Sequence, residues 1–256
     1  QLIEPYLASD GFVIGVQNGM TGEDIAEVVG PSRALAAVIE VTSAMYEPGV
    51  VERHSGHERS WFAVGAPDPR GSKNIPVAAA LLELAGVVER VDDINSPKWM
   101  KLILNAAELV PSAILDLSIV ETTKFTDMKA VMLAAGDEAV EAAKLLDYKI
   151  RPIFGMTGLD AASPETFVKT ILDELAANYI LPHSKSTVLQ DWMKGRHSEV
   201  NELNGLVVKA LEAHGQKAPT NQAVVEFALA IERGEKTRGT HNYGPLLERI
   251  AELKSS

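Results

Sequence analysis

Residues 96–110 read SPKWMKLILNAAELV, and this segment separates two regions of different character. Ser96 and Pro97 are typical of a helix start, because serine caps the first turn and proline lacks an N–H that the first turn cannot use. Apolar residues then occupy nearly every side of the predicted helix, which indicates that it is buried. Lys101 and Asn105 interrupt the apolar surface one turn apart. We therefore expect a buried helix that carries two polar groups on one face.

The region before this helix alternates strands and helices, as an α/β domain does. The apolar run FVIGV at 12–16 predicts a strand that ends in the turn signal Gln17-Asn18-Gly19. A helix is predicted to start at Thr21 and to stop at Gly30. We predict three further strands, antiparallel at their ends, over 35–45, 50–51 and 61–64. One more helix is predicted over 78–84.

The region after residue 95 shows only helical spacing of its apolar residues. Further helices are predicted near 128–146, 164–177, 186–193, 199–213, 221–233 and 246–253. The fold class is therefore α/β followed by all-α, and we predict two domains, residues 1–95 and residues 96–256.

The composition indicates a globular protein that acts on small molecules. Of the 256 residues, 46% are hydrophobic and 23% are charged, and the net charge is −11. An acidic chain repels phosphate backbones and anionic lipids, so neither a nucleic acid nor a membrane is an expected partner. No apolar run reaches the roughly 18 residues that a membrane-spanning helix needs. The chain has no cysteine, which excludes disulfides and thiolate chemistry and agrees with a cytoplasmic location.

Three polar positions each have a functional and a structural interpretation. Lys101 either extends its charged end to solvent or is held among apolar residues, where it is suited to proton transfer. Glu199 is either a first-turn acid favoured by the helix dipole or a ligand-binding acid. Asn18 is either part of a turn or a ligand contact, because ligands of α/β sheets bind at the carboxyl ends of strands.

Several common site motifs do not occur in the sequence. It contains no G-x-G-x-x-G loop, no Walker A loop, no G-x-S-x-G elbow and no H-E-x-x-H pair. The six histidines are scattered, and only His54 and His57 are close in sequence, so no metal site is expected.

Taken together, the motifs resemble the ketopantoate reductase (2-dehydropantoate 2-reductase) family. Its members are NADPH-dependent enzymes of the pantothenate pathway, with a Rossmann domain and a helical domain like that of 6-phosphogluconate dehydrogenase. The resemblance implies that residues 1–95 are part of a Rossmann-like NADP-binding domain and that residues 96–256 bind substrate and form a homodimer. It rests on the segments 17–20 (QNGM), 99–105 (WMKLILN), 186–191 (STVLQD), 199–205, 214–215 and 219–221.

The resemblance also implies a reaction, in which a hydride passes from NADPH to the ketone carbon of a small 2-oxo acid. Lys101 matches the general acid that protonates the oxygen, and Asn105 matches a residue that orients it. Glu199 matches the acid that hydrogen-bonds the hydroxyl of the substrate. Asn18 matches a residue between cofactor and substrate, and Asn18 and Glu199 are both assigned as cofactor contacts as well. Ser186 and Thr187 fall where the family binds the substrate carboxylate.

Two departures from the family pattern keep alternatives open. The glycine-rich loop of the family precedes the Asn-Gly motif, so we expect this sequence to be part of a longer protein. Residues 107–110 replace a second asparagine that is common in the family, so the substrate is ketopantoate or another ketone. The alternatives are a non-catalytic helical interaction module and an opine-type or 6-phosphogluconate-type dehydrogenase.

Overall fold

The computed structural model describes residues 3–157, 163–178 and 183–255. The chain forms two compact units, Gln1–Lys101 with Arg151–Gly158, and Leu102–Ile150 with Leu159–Ser256. The sequence predicts a division at residue 95, whereas the units divide inside a continuous helix, Asn95–Ile114. The first turns of this helix belong to the first unit because Lys98 and Lys101 make their hydrogen bonds there.

The first unit is built on a four-stranded mixed sheet with the strand order β1-β2-β5-β6. Strand β1 (Val13–Gly15) runs parallel to β2 (Ala34–Glu40), β2 is antiparallel to β5 (Trp61–Gly65), and β5 is parallel to β6 (Val87–Arg90). Helices α1 (Gly22–Val29) and α2 (Ile75–Leu82) provide the crossovers that parallel pairs require. The apolar core under α2 consists of Leu35, Ala37, Val64, Ala66, Ala78 and Ala79.

Two strand predictions for this unit were wrong in detail. The predicted strand 35–45 is interrupted after Glu40, and its second half is β3 (Ser43–Glu47), which pairs with β4 (Val50–Arg53) in a separate hairpin. Strand β6 was not predicted, because a run of four residues that is half exposed carries little apolar signal. The antiparallel pairing of the predicted strands is confirmed.

The long helix α3 (Asn95–Ile114) is buried along most of its length, as its sequence predicts. Its start differs from the prediction. Ser96 lies inside the helix, and the Asp93 carboxylate accepts hydrogen bonds from the Ser96 backbone N–H and from its hydroxyl. Asp93 therefore satisfies the free N–H at the start of α3, which is the role predicted for Ser96.

The second unit is helical, as predicted. Its core joins large apolar residues of several helices, among them Leu115, Met128, Met132, Leu203, Phe227 and Leu246. Besides the later part of α3 it contains α4 (Ile119–Thr122), α5 (Thr126–Leu145), α6 (Phe167–Asn178), α7 (Thr187–Met193), α8 (Asn204–Glu212), α9 (Pro219–Glu232) and α10 (Tyr243–Ser255). Helix α8 starts later than the predicted residue 199, because residues 199–203 form turns in which the Glu199 carbonyl accepts from Glu202 and Leu203.

None of the helices in the described ranges combines the length and the apolar character that crossing a lipid bilayer requires.

Candidate active site

The ammonium group of Lys101 is held by a carboxylate and an aromatic ring of the first unit. Lys101 Nζ donates a hydrogen bond to the Glu40 carboxylate at the end of β2, and the two side chains are only 14% and 11% exposed. The same nitrogen lies 5.0 Å from the centre of the Phe154 ring. Of the two interpretations of Lys101, the structure therefore supports the one in which its charge is held inside the protein.

Glu40 is a partner of Lys101 that the sequence patterns did not indicate. It lies 61 positions before Lys101 in the chain, so no local motif connects the two residues. The signal that was available is its place at the end of the apolar strand ALAAVIE, because a carboxylate that is buried with such a strand requires a partner.

A second lysine of α3 supports the turn that carries Asn18. Lys98 is only 3% exposed, and its ammonium donates a 2.9 Å hydrogen bond to the Gln17 carbonyl oxygen. Asn18 follows directly and is half-buried just beyond the carboxyl end of β1, where Gly19 takes a φ of 70°. The left-handed conformation suits glycine and turns the chain towards α1. Lys98 thus fixes the backbone on which Asn18 is placed.

Asn105 carries a buried amide donor in the middle of α3. The residue is 2% exposed, and its Nδ2 atom has no hydrogen-bond partner among the described residues. A buried amide N–H without an acceptor costs about 1–3 kcal/mol. A ligand oxygen at this position would remove that cost, which agrees with the role that the sequence assigns to Asn105.

The predicted hydroxyl pair, Ser186 and Thr187, is divided between two environments. Ser186 is buried, accepts from the Leu189 N–H as the N-cap of α7, and donates a 2.9 Å hydrogen bond to the Leu109 carbonyl. Its hydroxyl is therefore engaged within the protein. Thr187 is exposed at the first position of α7. Of the two, Thr187 has the hydroxyl that is open to a ligand.

The segment before Glu199 is fixed by a buried carboxylate. Glu232, at the end of α9, accepts hydrogen bonds from the Ser198 backbone N–H, the Ser198 hydroxyl and the Trp192 indole, at 2.6–2.9 Å, and from His197 at 3.1 Å. A carboxylate at a helix carboxyl end is unfavourable for the helix dipole, so these donors are what stabilises it. Glu232 thereby places the backbone from which the half-buried Glu199 extends.

We expect the stability of this segment to depend on pH through Glu232. Burial opposes ionisation, but the hydrogen bonds from Ser198, Trp192 and His197 outweigh it and hold the pKa of Glu232 below its ordinary value of 4.5. A lowered pKa in the folded state means that the unfolded chain takes up the proton first. The stabilisation is therefore present above about pH 4.5 and is lost as the pH falls through the folded pKa.

Urea unfolding of the native protein and of Glu232→Gln, at pH 7 and at pH 3.5, measures this dependence. The difference in unfolding free energy between the two proteins should be larger at pH 7 than at pH 3.5. A difference that is the same at both pH values would contradict the assignment to Glu232.

Two asparagines of the motifs that resemble the family, Asn204 and Asn221, form a buried hydrogen-bond network. Asn204 Nδ2 donates to the Ala106 carbonyl of α3 at 2.9 Å and to Asn221 Oδ1 at 2.8 Å. The Asn221 amide donates in turn to the Ala135 carbonyl and to Glu138. Both asparagines are fully buried. The network therefore links α3, α5, α8 and α9, and it contacts α3 at the residue after Asn105.

The Glu138 carboxylate of α5 also caps the start of α9. Its two oxygens accept the backbone N–H groups of Thr220 and Asn221 at 2.8 and 2.9 Å. These N–H groups have no partner within the helix itself, and a negative charge is favourable at this end of the helix dipole. The motif at 219–221 is thus explained by the packing of α9.

The predicted site residues are distributed over both units. The first unit contains Asn18 and Lys101, and the second contains Asn105, Ser186, Thr187 and Glu199. Within the first unit, α3 brings Lys98 to the backbone beside Asn18 and Lys101 to Glu40. Within the second unit, the Ser186 hydroxyl donates a hydrogen bond to the Leu109 carbonyl of α3, one turn beyond Asn105. No group of three or more His, Asp or Glu side chains in the described segments is arranged to hold a metal ion.

A family model described as "Ketopantoate reductase PanE/ApbA C terminal" matches residues 93–232, which is more than half of the chain. The matched segment begins at Asp93 and ends at Glu232, so it includes Lys101, Asn105 and Glu199.

Individual proteins give the same relationship. A 2-dehydropantoate 2-reductase of Archaeoglobus fulgidus is 27% identical over 225 residues, which are 88% of this chain and 69% of that protein. A second, from Pyrococcus horikoshii, is 25% identical over 84% of this chain and 65% of its own length. The chain thus spans about two thirds of the length of these relatives.

Solved structures confirm the fold class. The crystal structure of a PanE/ApbA family ketopantoate reductase from Ralstonia eutropha JMP134 is 27% identical, with a TM-score of 0.72 over 91% of this chain and 70% of its own. D-mandelate dehydrogenase in ternary complex with NADH and anilino(oxo)acetate has a TM-score of 0.76 over 91% of this chain and 70% of its own, at 20% identity, which supports the fold alone. The α/β region followed by a helical region is therefore a shared architecture, and the chain belongs to the ketopantoate reductase PanE/ApbA family of oxidoreductases.

Proposed function

We propose that this protein reduces the ketone of a small 2-oxo acid, with 2-dehydropantoate as the substrate and NADPH as the reductant, and that Lys101 is the general acid. The observation that carries the proposal is the ammonium of Lys101, which is held in a largely buried position on the helix that the family model matches. Relatives over most of the chain are named 2-dehydropantoate 2-reductase, which supports the choice of substrate.

Lys101 has the donors that the reaction needs. An ammonium group has three N–H bonds, and the Glu40 carboxylate accepts one of them. A remaining N–H is free to donate to the ketone oxygen. When the ketone is reduced, its oxygen would take a proton from the Lys101 ammonium to complete the hydroxyl. Lys101 is left as a neutral amine that solvent protonates again. The positive charge also stabilises the negative charge that develops on oxygen.

A reduced nicotinamide cofactor, when bound, supplies the hydride. The end of β1 fits the polar part of such a group, because Asn18 lies just beyond the strand and the buried Thr21 hydroxyl has no hydrogen-bond partner in the described part of the chain. Asn18 and Thr21 are therefore the residues that we assign to the nicotinamide or its ribose. No residue is assigned to the pyrophosphate, since the sequence has no G-x-G-x-x-G loop.

The second unit supplies groups suited to the substrate. We assign Asn105 Nδ2 to the ketone oxygen because this donor is buried and has no acceptor within residues 3–157, 163–178 and 183–255. Thr187, whose hydroxyl is exposed at the start of α7, is assigned to the substrate carboxylate, with Ser186 supporting the turn behind it. Glu199 is assigned to the hydroxyl of the substrate.

The expected homodimer and cytoplasmic location remain predictions.

Initial rates of NADPH oxidation test the proposal, using protein expressed from its native reading frame. Ketopantoate, a 2-oxo acid of similar size without the hydroxyl, and an uncharged ketone form the panel. Turnover with ketopantoate is the expected result. Turnover with another ketone alone would preserve the chemistry and change the substrate, and absence of oxidation with the whole panel would favour the non-catalytic interaction module.

Glu199→Gln separates substrate recognition from chemistry. A hydrogen bond from the substrate hydroxyl to a carboxylate contributes about 1.5–3 kcal/mol, so its loss should raise KM for ketopantoate by roughly tenfold or more. The KM of the substrate without the hydroxyl should change much less. Glu202→Gln, an exposed neighbour in the same turn, is the matched control. Equal losses for both substrates would contradict the role of Glu199.

A further inference from the structure

The ammonium of Lys101 is fixed on two sides by residues of the first unit that the proposed reaction does not use. Glu40 is buried, and its carboxylate accepts a hydrogen bond from Lys101 Nζ. The Phe154 ring lies 5.0 Å from the same nitrogen, in the geometry of a cation–π contact. A flexible side chain with four rotatable bonds is thereby restricted to one position.

The backbone of Phe154 shows that this arrangement is imposed. Its φ is 62°, in the left-handed region that a bulky residue seldom adopts, and the ring is 6% exposed. Such strain persists only where the surroundings enforce it, and it concentrates at functional sites. The ring packs edge-on against Trp61, with the centres 5.6 Å apart and an angle of 86°.

A nearby ion pair anchors the segment that carries Phe154. Arg151 donates to the Glu89 carboxylate of β6, so the chain three residues before Phe154 is attached to the sheet of the first unit. The sheet therefore supplies both contacts of the ammonium, Glu40 directly from β2 and Phe154 through this attachment.

From this geometry we propose that Glu40 is a positioning residue for Lys101, one that holds the charged ammonium against Phe154 so that a remaining N–H is directed at the substrate. This inference rests on the proposed role of Lys101 as general acid. A displacement of a catalytic group by about 1 Å can lower the rate by up to two orders of magnitude. Loss of the Glu40 charge should therefore lower kcat and leave substrate binding nearly unchanged.

The test measures kcat and KM of Glu40→Gln, Lys101→Ala and the double variant in the full-length protein with NADPH and its best substrate. Glu40→Gln should lower kcat by about tenfold and change KM by less than about threefold. In the Lys101→Ala background the same substitution should change kcat by less than about twofold, because a residue that acts through Lys101 has no effect once Lys101 is gone.

Two further variants guard against a purely structural effect. Glu40→Asp retains the charge and should have a kcat at least about threefold above that of Glu40→Gln. Glu83→Gln removes a carboxylate of the same unit that pairs with Arg90 at the surface, and it should leave kcat within about twofold of native.

The results separate this inference from the proposed function. Three outcomes would overturn the role of Glu40 and leave the proposed function standing. They are a native kcat in Glu40→Gln, an equal loss of kcat in both backgrounds, and a kcat of Glu40→Asp no higher than that of Glu40→Gln. Native activity in Lys101→Ala, or no turnover of the panel by the native protein, would overturn the proposed function and this inference together.

Discussion

Replacement of Lys101 by alanine is expected to lower kcat by about two to four orders of magnitude, which is the usual contribution of a general acid. The loss should be nearly equal in kcat and in kcat/KM, because the proton transfer occurs only in the transition state. Stopped-flow measurement of NADPH oxidation with saturating substrate gives the rate of the chemical step. Full activity of Lys101→Ala would remove Lys101 from the mechanism.

A control is needed because the substitution also leaves Glu40 without its partner. Removing one member of a buried ion pair is destabilising by about 3–5 kcal/mol when the pair is fully buried, and less here because both side chains retain some exposure. Lys101→Arg retains the positive charge beside Glu40 but is a poor proton donor, since a guanidinium stays protonated. It should unfold close to the native temperature and still lose most of the activity. Lys73→Ala, at an exposed lysine, should behave as native.

Replacement of Glu138 by alanine is expected to have the largest effect on stability. It leaves the backbone N–H groups of Thr220 and Asn221 without their acceptor, and the Asn221 amide keeps only its bond to the Ala135 carbonyl, in a region where both residues are fully buried. Each unsatisfied buried donor costs about 1–3 kcal/mol, so the unfolding free energy should fall by about 3 kcal/mol or more. For a chain of this size the unfolding temperature should fall by roughly 5–10 °C.

Glu141→Ala on the same helix is the matched control. Glu141 forms an exposed pair with Lys144 at 3.3 Å, and such pairs contribute less than about 1 kcal/mol. Thermal unfolding of both variants, followed by circular dichroism, compares them directly. If Glu138→Ala unfolded at the same temperature as Glu141→Ala, the cap on α9 would not stabilise the fold.

The sequence predicted the helices and strand ends that the local spacing of apolar and turn residues determines. The apolar surface of 97–110 predicted a buried helix, and the turn signal at 17–19 predicted the end of β1. Helix periodicity likewise located the longer helices of the second unit, whereas the four-residue helix α4 was not predicted. These features depend on spacing over one or two turns, which is visible in the chain itself.

The sequence did not predict contacts between distant segments. Three contacts show this. Glu40 and Lys101 are 61 positions apart, Gln17 and Lys98 are 81 apart, and Glu138 and Thr220, where Glu138 caps α9, are 82 apart. Nothing in local spacing shows which acid a buried lysine meets. The same limit applies to Ser186, whose role in substrate binding stays a prediction of the resemblance and whose hydrogen bond to the Leu109 carbonyl was not predicted.

The central claim is direct hydride transfer to a ketone carbon, and an isotope experiment tests it most directly. The native protein is incubated with ketopantoate and NADPH that carries deuterium at both C4 positions, and the product is examined by mass spectrometry and NMR. The account predicts pantoate with one deuterium on the carbon that bears the new hydroxyl. Pantoate without deuterium at that carbon, or no product while NADPH remains reduced, would contradict it.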